Sequence, residues 1–343
     1  LVRTLKNSEL LWNVTEPCSK IVLVGHANPD GDAIGSVSGM FHFLAQTGKK
    51  ASMIVPNPFP AFLSCLNPEA NPILVYDSQT AECDRIIAEA DLLICLDMSN
   101  THRVDDMEEA ILGNHSAKKI LIDHHLNPET EHFDIVVSDT GVSSTCELLL
   151  SLILKSSAID GDIMKLSMDC ATSLTAGILT DTNNFANSIF PDTLERMSML
   201  LQRGVDRNRL YDEIFCSYTV SRMRLMGHML SEKMQIIHDG SVAFIVLDNK
   251  DKEHYSFNNG DAEGFVNLPL RIRHVRMSAL FKEDDGFVKV SLRSKGNLDV
   301  NAFARKYCNG GGHLNASGGR LSMDVSKIAD YFSECVDEYF KKA

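Results

Sequence analysis

Short apolar runs that stop at acidic or imidazole side chains constrain this chain more than any other feature. Lys20–Gly25 (KIVLVG) leads into His26, with Asp30 and Asp32 close behind. Leu92–Asp97 (LLICLD) ends on Asp97, and Lys119–Asp123 (KILID) ends on Asp123, followed at once by His124 and His125. Ala51–Val55 and Asp134–Val137 are similar runs, and Asp32–Gln46 carries the apolar spacing of a helix. Strands that are apolar throughout and alternate with helices predict a parallel α/β sheet buried on both faces. Ligands of such sheets gather at the carboxyl ends of the strands.

Helical spacing continues at Ser144–Lys155, Asp162–Thr180, Pro191–Arg203, Arg207–Phe215 and Thr219–Met234. From Gln235 the pattern changes to strands and hairpins, with Asp239-Gly240 and Asp285-Gly286 as turn signals, and a helix over Ser326–Lys341 closes the chain. A length of 343 residues exceeds what one core usually supports. We therefore expect a catalytic domain at 1–190, a helical linker at 191–235 and a smaller α/β domain at 236–343.

The strand ends bring His26, Asp30, Asp32, Asp97, Asp123, His124 and His125 to one rim, and Asp181 in AGILTDTNNF is a further candidate. Carboxylates and imidazoles crowded together lose hydration and repel unless a cation compensates. Taken singly, each has a plainer reading: Asp32 could cap the helix that follows it, and Asp97 could be a hydrogen-bonded structural residue. Together they outnumber the needs of one ion, whereas two ions sharing a bridging aspartate would use them all. Mixed imidazole and carboxylate ligation suits Mn²⁺ or a related divalent ion better than Mg²⁺, which favours oxygen, or zinc, whose sites are often sulfur-rich. Two ions about 3.5–4 Å apart are a common device for hydrolysing phosphate esters. Gly31 is read as allowing a tight bend between Asp30 and Asp32, and Gly35 as letting the helix approach the sheet.

The motifs GHANPDGDAIGS, LDMSN, DHH and GILTDTNNF together resemble the DHH phosphoesterase superfamily, whose name is the triplet Asp123-His124-His125. GGGHLNASGG (Gly310–Gly319), EGFVNLPL and VSLRSKG resemble its DHHA1 substrate-binding domain, with Asn309 standing where a fourth glycine is common. The resemblance implies one ion on His26, Asp30 and Asp97, and a second on Asp32, Asp97, His124 and Asp181. It further implies that His125 faces the reacting phosphate oxygens and that Asp123 orients a neighbouring imidazole. Gly310, Gly311, Gly312, His313, Ser317 and Arg293 would form a phosphate clamp, the glycines through their amides and Arg293 through a bidentate pair. Within the superfamily, length and layout resemble the group that degrades very short RNA and dephosphorylates 3′-phosphoadenosine 5′-phosphate (pAp). Phosphodiesterases of cyclic dinucleotides or of their linear products pApA and pGpG are the near alternative. A non-catalytic nucleotide-binding module is the alternative of another class.

Charge limits the substrate. The net charge is −13, which argues against non-specific binding to long DNA or RNA. Residues 1–264 carry 20 Lys/Arg against 37 Asp/Glu, whereas residues 265–343 carry 13 against 9. An acidic, metal-holding part beside a basic part fits a small phosphorylated substrate. No apolar run is long enough to span a bilayer, and the N-terminal LVRTLKNSELL lacks the apolar core of a secretory signal. Nine cysteines without a CxxC pair suit a reducing compartment, so a cytoplasmic location without membrane attachment is expected. Apolar helix faces around Leu148–Leu154 and Leu225–Met229 are read as exposed and as permitting a homodimer.

Overall fold

Period-two alternation divides each strand of the first sheet between two cores. In β1 (Ile21–Val24), Ile21 and Leu23 join one cluster, while Val22 and Val24 join the other. The computed structural model describes residues 2–258 and 260–341. Its contacts separate two compact units, Leu1–Ser217 and Tyr218–Ala343, a boundary that falls inside the segment read as a helical linker.

The first unit opens with α1 (Val2–Thr15), followed by β1, α2 (Gly31–Gln46), β2 (Ala51–Val55), β3 (Leu74–Val75) and α3 (Tyr76–Glu89). It continues with β4 (Leu92–Leu96), α4 (Glu108–Gly113), β5 (Lys118–Asp123) and β6 (Ile135–Ser138), then α5 (Thr145–Leu154), α6 (Met168–Asp181), α7 (Pro191–Arg203) and α8 (Arg207–Phe215). The six strands are parallel, in the order β3-β2-β1-β4-β5-β6. Strand order therefore reverses between β1 and β4, which opens a crevice at their carboxyl ends. Ile94, Leu96, Ile120 and Ile122 face α2, α5 and α6 on one side; Leu93, Cys95 and Leu121 face the other.

Small residues let α2 and α6 approach closely. A Cβ on Gly31 would collide with the Thr180 side chain, and one on Gly35 would lie 2.7 Å from the Ser173 carbonyl oxygen. These glycines thus serve helix–helix contact, not the bend or the sheet approach read from the sequence. The contact sets Asp32, in the first turn of α2, near Asp181 at the end of α6. Helix α6 begins at Met168, because Asp162 caps a separate turn over Ile163–Lys165.

The second unit contains α9 (Val220–His228), a π turn (Met229–Lys233), β7 (Gln235–Ile237), β8 (Val242–Leu247) and α10 (Asn249–His254). Next come β9 (Met277–Asp284), β10 (Phe287–Ser294), α11 (Val300–Tyr307), β11 (Gly311–Gly312), β12 (Ala316–Leu321) and α12 (Ile328–Lys341). Its sheet runs β11-β12-β10-β9-β8-β7, antiparallel except for the parallel pair β8/β9. Val288, Val290 and Leu292 pack against Phe303 of α11 and Phe332 of α12, whereas Leu280 faces a second cluster with Leu225, Met229 and Phe265. The helix faces read as a dimer surface are therefore covered: Leu148–Leu150 and Leu152–Leu154 lie in the first unit's core, and Leu225 and Met229 lie in the second's. Apolar side chains on a helix bury first against their own sheet. Among the described residues, no helix is long and apolar enough to cross a membrane.

Candidate metal centre

After β1 the chain passes over the crevice between β1 and β4. His26 is buried there, and its Nδ1 donates to the Ala27 carbonyl oxygen (2.9 Å), which turns Nε2 inward. That atom lies 3.4 Å from Asp97 Oδ2 and 3.8 Å from Asp30 Oδ1. Asp30 is the cap of α2; its Oδ1 accepts from the amides of Asp32 (3.0 Å) and Ala33 (3.1 Å). The capping reading of Asp32 is thus replaced. Asp32 is buried, and its carboxylate accepts from the first amides of α5: Thr145 N–H to Oδ2 (2.6 Å) and Cys146 N–H to Oδ1 (2.9 Å).

Asp97 follows β4 at φ 61°, a left-handed conformation that aspartate tolerates better than most L residues. Its amide donates to the Ile122 carbonyl oxygen of β5 (3.0 Å), which holds the turn against the sheet. Strain of this kind concentrates at functional sites. His124, just beyond β5, places Nε2 at 3.7 Å from Asp97 Oδ1, 3.5 Å from Asp181 Oδ2 and 3.9 Å from Asp32 Oδ2. Among the described residues, the groups of three candidate donors in this unit with ligand atoms within 4.8 Å of one another are His26/Asp30/Asp97, Asp32/His124/Asp181 and Asp97/Asp123/His125. Asp97 approaches both His26 of the first group and His124 of the second.

Asp123 is fully buried and accepts from His125 twice, from the amide (3.1 Å) and from Nδ1 (2.7 Å). The acceptor fixes the tautomer of His125 and the plane of its ring. That ring meets the His124 ring edge to face, with centroids 4.6 Å apart.

Protonation records the crowding. Burial is the largest influence on His26 and opposes its charge, but hydrogen bonding to Asp30 and Asp97 prevails and raises its pKa to about 9. Burial, reinforced by Asp97 and Asp30, pushes Asp32 well above the carboxylate range. Burial also works against ionised Asp97, yet His26, His125 and His124 hold its carboxyl low. Burial and the neighbouring His125 lower His124. Without metal the acidic rim retains protons; divalent cations would replace them and make carboxylates of all its acids. The donor set, imidazole nitrogens and carboxylate oxygens without thiolate, fits such ions.

The proposed clamp lies in the second unit. Gly311 and Gly312 pair with Gly318 and Ser317 in a narrow hairpin. The amides of Gly310, Gly312 and His313 donate to the Ala304 carbonyl oxygen, Asn301 Oδ1 and the Ala316 carbonyl oxygen respectively. Ser317 Oγ donates to the His313 carbonyl oxygen (2.8 Å). These amides are therefore occupied, two by α11 and one within the hairpin. The glycines are needed for close approach instead: a Cβ on Gly310 would strike the Gly318 carbonyl, and Gly312 has φ 146°. Asn309 takes φ 46°, so it adopts the conformation that a glycine would supply. Arg293, on the interior strand β10, donates Nη1 to the Leu292 carbonyl oxygen (3.0 Å), and His313 follows the three glycines at the hairpin.

Residues 20–178 match the DHH family, N-terminal domain, and residues 238–342 match the DHHA1 domain. Over 98% of its length the chain is 30% identical to the bifunctional oligoribonuclease and PAP phosphatase NrnA of Thermus thermophilus, covering 94% of that protein. The chain belongs to the DHH/DHHA1 phosphoesterase superfamily. The chain also shares 38% identity and a TM-score of 0.88 with the crystal structure of an exopolyphosphatase-related protein from Bacteroides fragilis, over 97% of this chain and 96% of that one. It is 27% identical to the cyclic-di-AMP phosphodiesterase GdpP of Bacillus subtilis, spanning 99% of this chain but 51% of GdpP. All these named activities cleave bonds at phosphorus.

The sequence reading missed Thr145 and Cys146, whose amides hold Asp32. A signal for them exists: Ser144 and Glu147 stand in the S-x-x-E pattern that opens a helix, and Ser144 does cap α5. What the pattern withholds is which carboxylate the helix end meets.

Proposed function

We propose that the first unit holds two divalent cations, Mn²⁺ or a related ion, one on His26, Asp30 and Asp97 and the other on Asp32, Asp97, His124 and Asp181. With them the protein hydrolyses very short RNA from an end and removes the 3′-phosphate of pAp. The observation that carries this reading is the Asp97 carboxylate, with Oδ2 at 3.4 Å from His26 Nε2 and Oδ1 at 3.7 Å from His124 Nε2.

The bound ions would supply Lewis acidity at phosphorus and a water made acidic enough to attack at neutral pH. The protein's part is orientation. With cations bound, His26 and His124 would present unprotonated Nε2 atoms, and Asp97 would keep the two donor groups in register. His125, its ring held through Nδ1 by Asp123, is proposed to face the reacting phosphate oxygens and stabilise them. In the second unit, Arg293 and His313 recognise a terminal phosphate on a hairpin shaped by Gly310, Gly311, Gly312 and Ser317.

Similarity to GdpP favours a second reading, hydrolysis of cyclic dinucleotides or of pApA and pGpG. A panel under Mn²⁺ at equal concentrations separates the two: pAp, RNA of two to five nucleotides, pApA, pGpG and cyclic dinucleotides. Mononucleotides from the short RNAs and AMP from pAp are expected. Turnover confined to cyclic substrates would favour the second reading. Saturable binding without turnover would make the protein a nucleotide-binding module. Asp97→Ala is the control, and an unchanged rate in that variant would remove the two-cation mechanism.

A further inference from the structure

The bridging orientation of Asp97 is not set by its own torsions. The terminal torsion of aspartate is broad and roughly two-fold, so nothing in the side chain decides which oxygen faces which donor group. Beside the imidazoles of His26, His124 and His125, a hydroxyl contributes to that choice. Thr145, fully buried in the first turn of α5, donates its hydroxyl to Asp97 Oδ1 (3.0 Å) and its amide to Asp32 Oδ2 (2.6 Å). With Oδ1 engaged on that side, Oδ2 is turned to His26. A single residue therefore touches two carboxylates that arrive from different elements, α2 and the end of β4.

Thr145 is itself fixed from behind. Ser144 Oγ accepts from the Glu147 amide (3.0 Å) and caps α5. Glu147 is buried, and its Oε2 accepts from the Ser143 amide (2.9 Å), Ser143 Oγ (2.5 Å) and Thr193 Oγ1 (2.7 Å). Thr193 belongs to the first turn of α7, so a continuous set of hydrogen bonds runs from α7 through Glu147 to the start of α5.

We infer that Thr145 is a positioning residue for the metal centre, whose hydroxyl holds Asp97 in the orientation that lets one carboxylate serve both cations. The inference rests on the two-cation reading. Its test compares Thr145→Val, which keeps shape and amide but removes the hydroxyl, with Thr145→Ser, which keeps the hydroxyl. Mn²⁺ affinity is read from the electron paramagnetic resonance signal of the free ion, and the thermal midpoint of the metal-free protein is read beside it. Thr145→Val is expected to bind Mn²⁺ about 10–100-fold more weakly, as for other partners that orient metal ligands. Thr145→Ser should bind as the parent does, and both should melt near the parent when metal-free. If Thr145→Val does not fold, Thr145→Ala takes its place with the same expectation. Parent-like Mn²⁺ affinity in the hydroxyl-free variant, or equal weakening in Thr145→Ser, would overturn the inference. A parent protein that binds no Mn²⁺ would instead remove the two-cation reading on which it rests.

Discussion

Asp97 and His26 approach to 3.4 Å at the point where the strand order of the first sheet reverses. The pair links fold to chemistry: β1 and β4 are hydrogen-bonded neighbours, so the residues that follow them share one crevice. Asp97 is the member with contacts on both sides of it.

Asp97→Asn should keep the shape of the turn and lose the charge. Phosphoesterase activity is expected to fall by more than the roughly 100-fold typical of losing an outer-shell partner, with Mn²⁺ affinity falling in parallel. Steady-state kinetics and a metal titration on the same preparation check this.

Gly35→Ala would bring a Cβ to 2.7 Å from a backbone oxygen of α6, where no flexible side chain can yield. Overpacking of this kind costs about 1–3 kcal/mol, read as a lower midpoint in urea. The displaced helix should also weaken metal binding, because α2 carries Asp32 and α6 carries Asp181.

Arg293→Ala in the second unit should raise KM for short RNA on the order of 10–100-fold, the scale of one charge-assisted hydrogen bond. A smaller change in kcat is expected, together with loss of the preference for dinucleotides over longer RNA. Unaltered length preference in both Arg293→Ala and His313→Ala would show that the clamp lies elsewhere.

Lys289 on β10 stands directly opposite Lys282 of β9 and Arg320 of β12. Burial, then Lys282, lowers its pKa; Arg320 adds to this, and Glu263 and Asp284 only partly compensate. A folded-state pKa below the unfolded one gives stability that is complete above the unfolded value and lost as pH falls through the folded value. At neutral pH the protonated Lys289 is therefore destabilising. Lys289→Met should raise the urea midpoint at pH 7, and its advantage should shrink as pH rises toward 10.5, the ordinary lysine value. A constant advantage across that range would assign the effect to packing.

Five of the six strands of the first sheet and the acidic residues at their ends could be read directly, because a buried parallel strand is apolar on both faces and its period is local; the two-residue β3 is too short to show one. Helix α3 could not: in YDSQTAECDRIIAE only Tyr76, Cys83 and Ile87 are buried, too sparse a stripe to stand out. The eight residues of α11 were likewise too few to show a period. The parallel pairing of β8 with β9 was also hidden, since the apolar runs look like neighbours in a hairpin while the chain between them crosses over.

By itself the sequence determined which side chains could meet at the rim, because residue type and strand ends are written along the chain. Only the tertiary structure decided how they are held. The order β3-β2-β1-β4-β5-β6 sets His26 beside Asp97, the α2–α6 contact brings Asp32 toward Asp181, and the start of α5 engages Asp32 and Asp97 through Thr145. These contacts join residues far apart in the chain, and local periodicity carries no information about them.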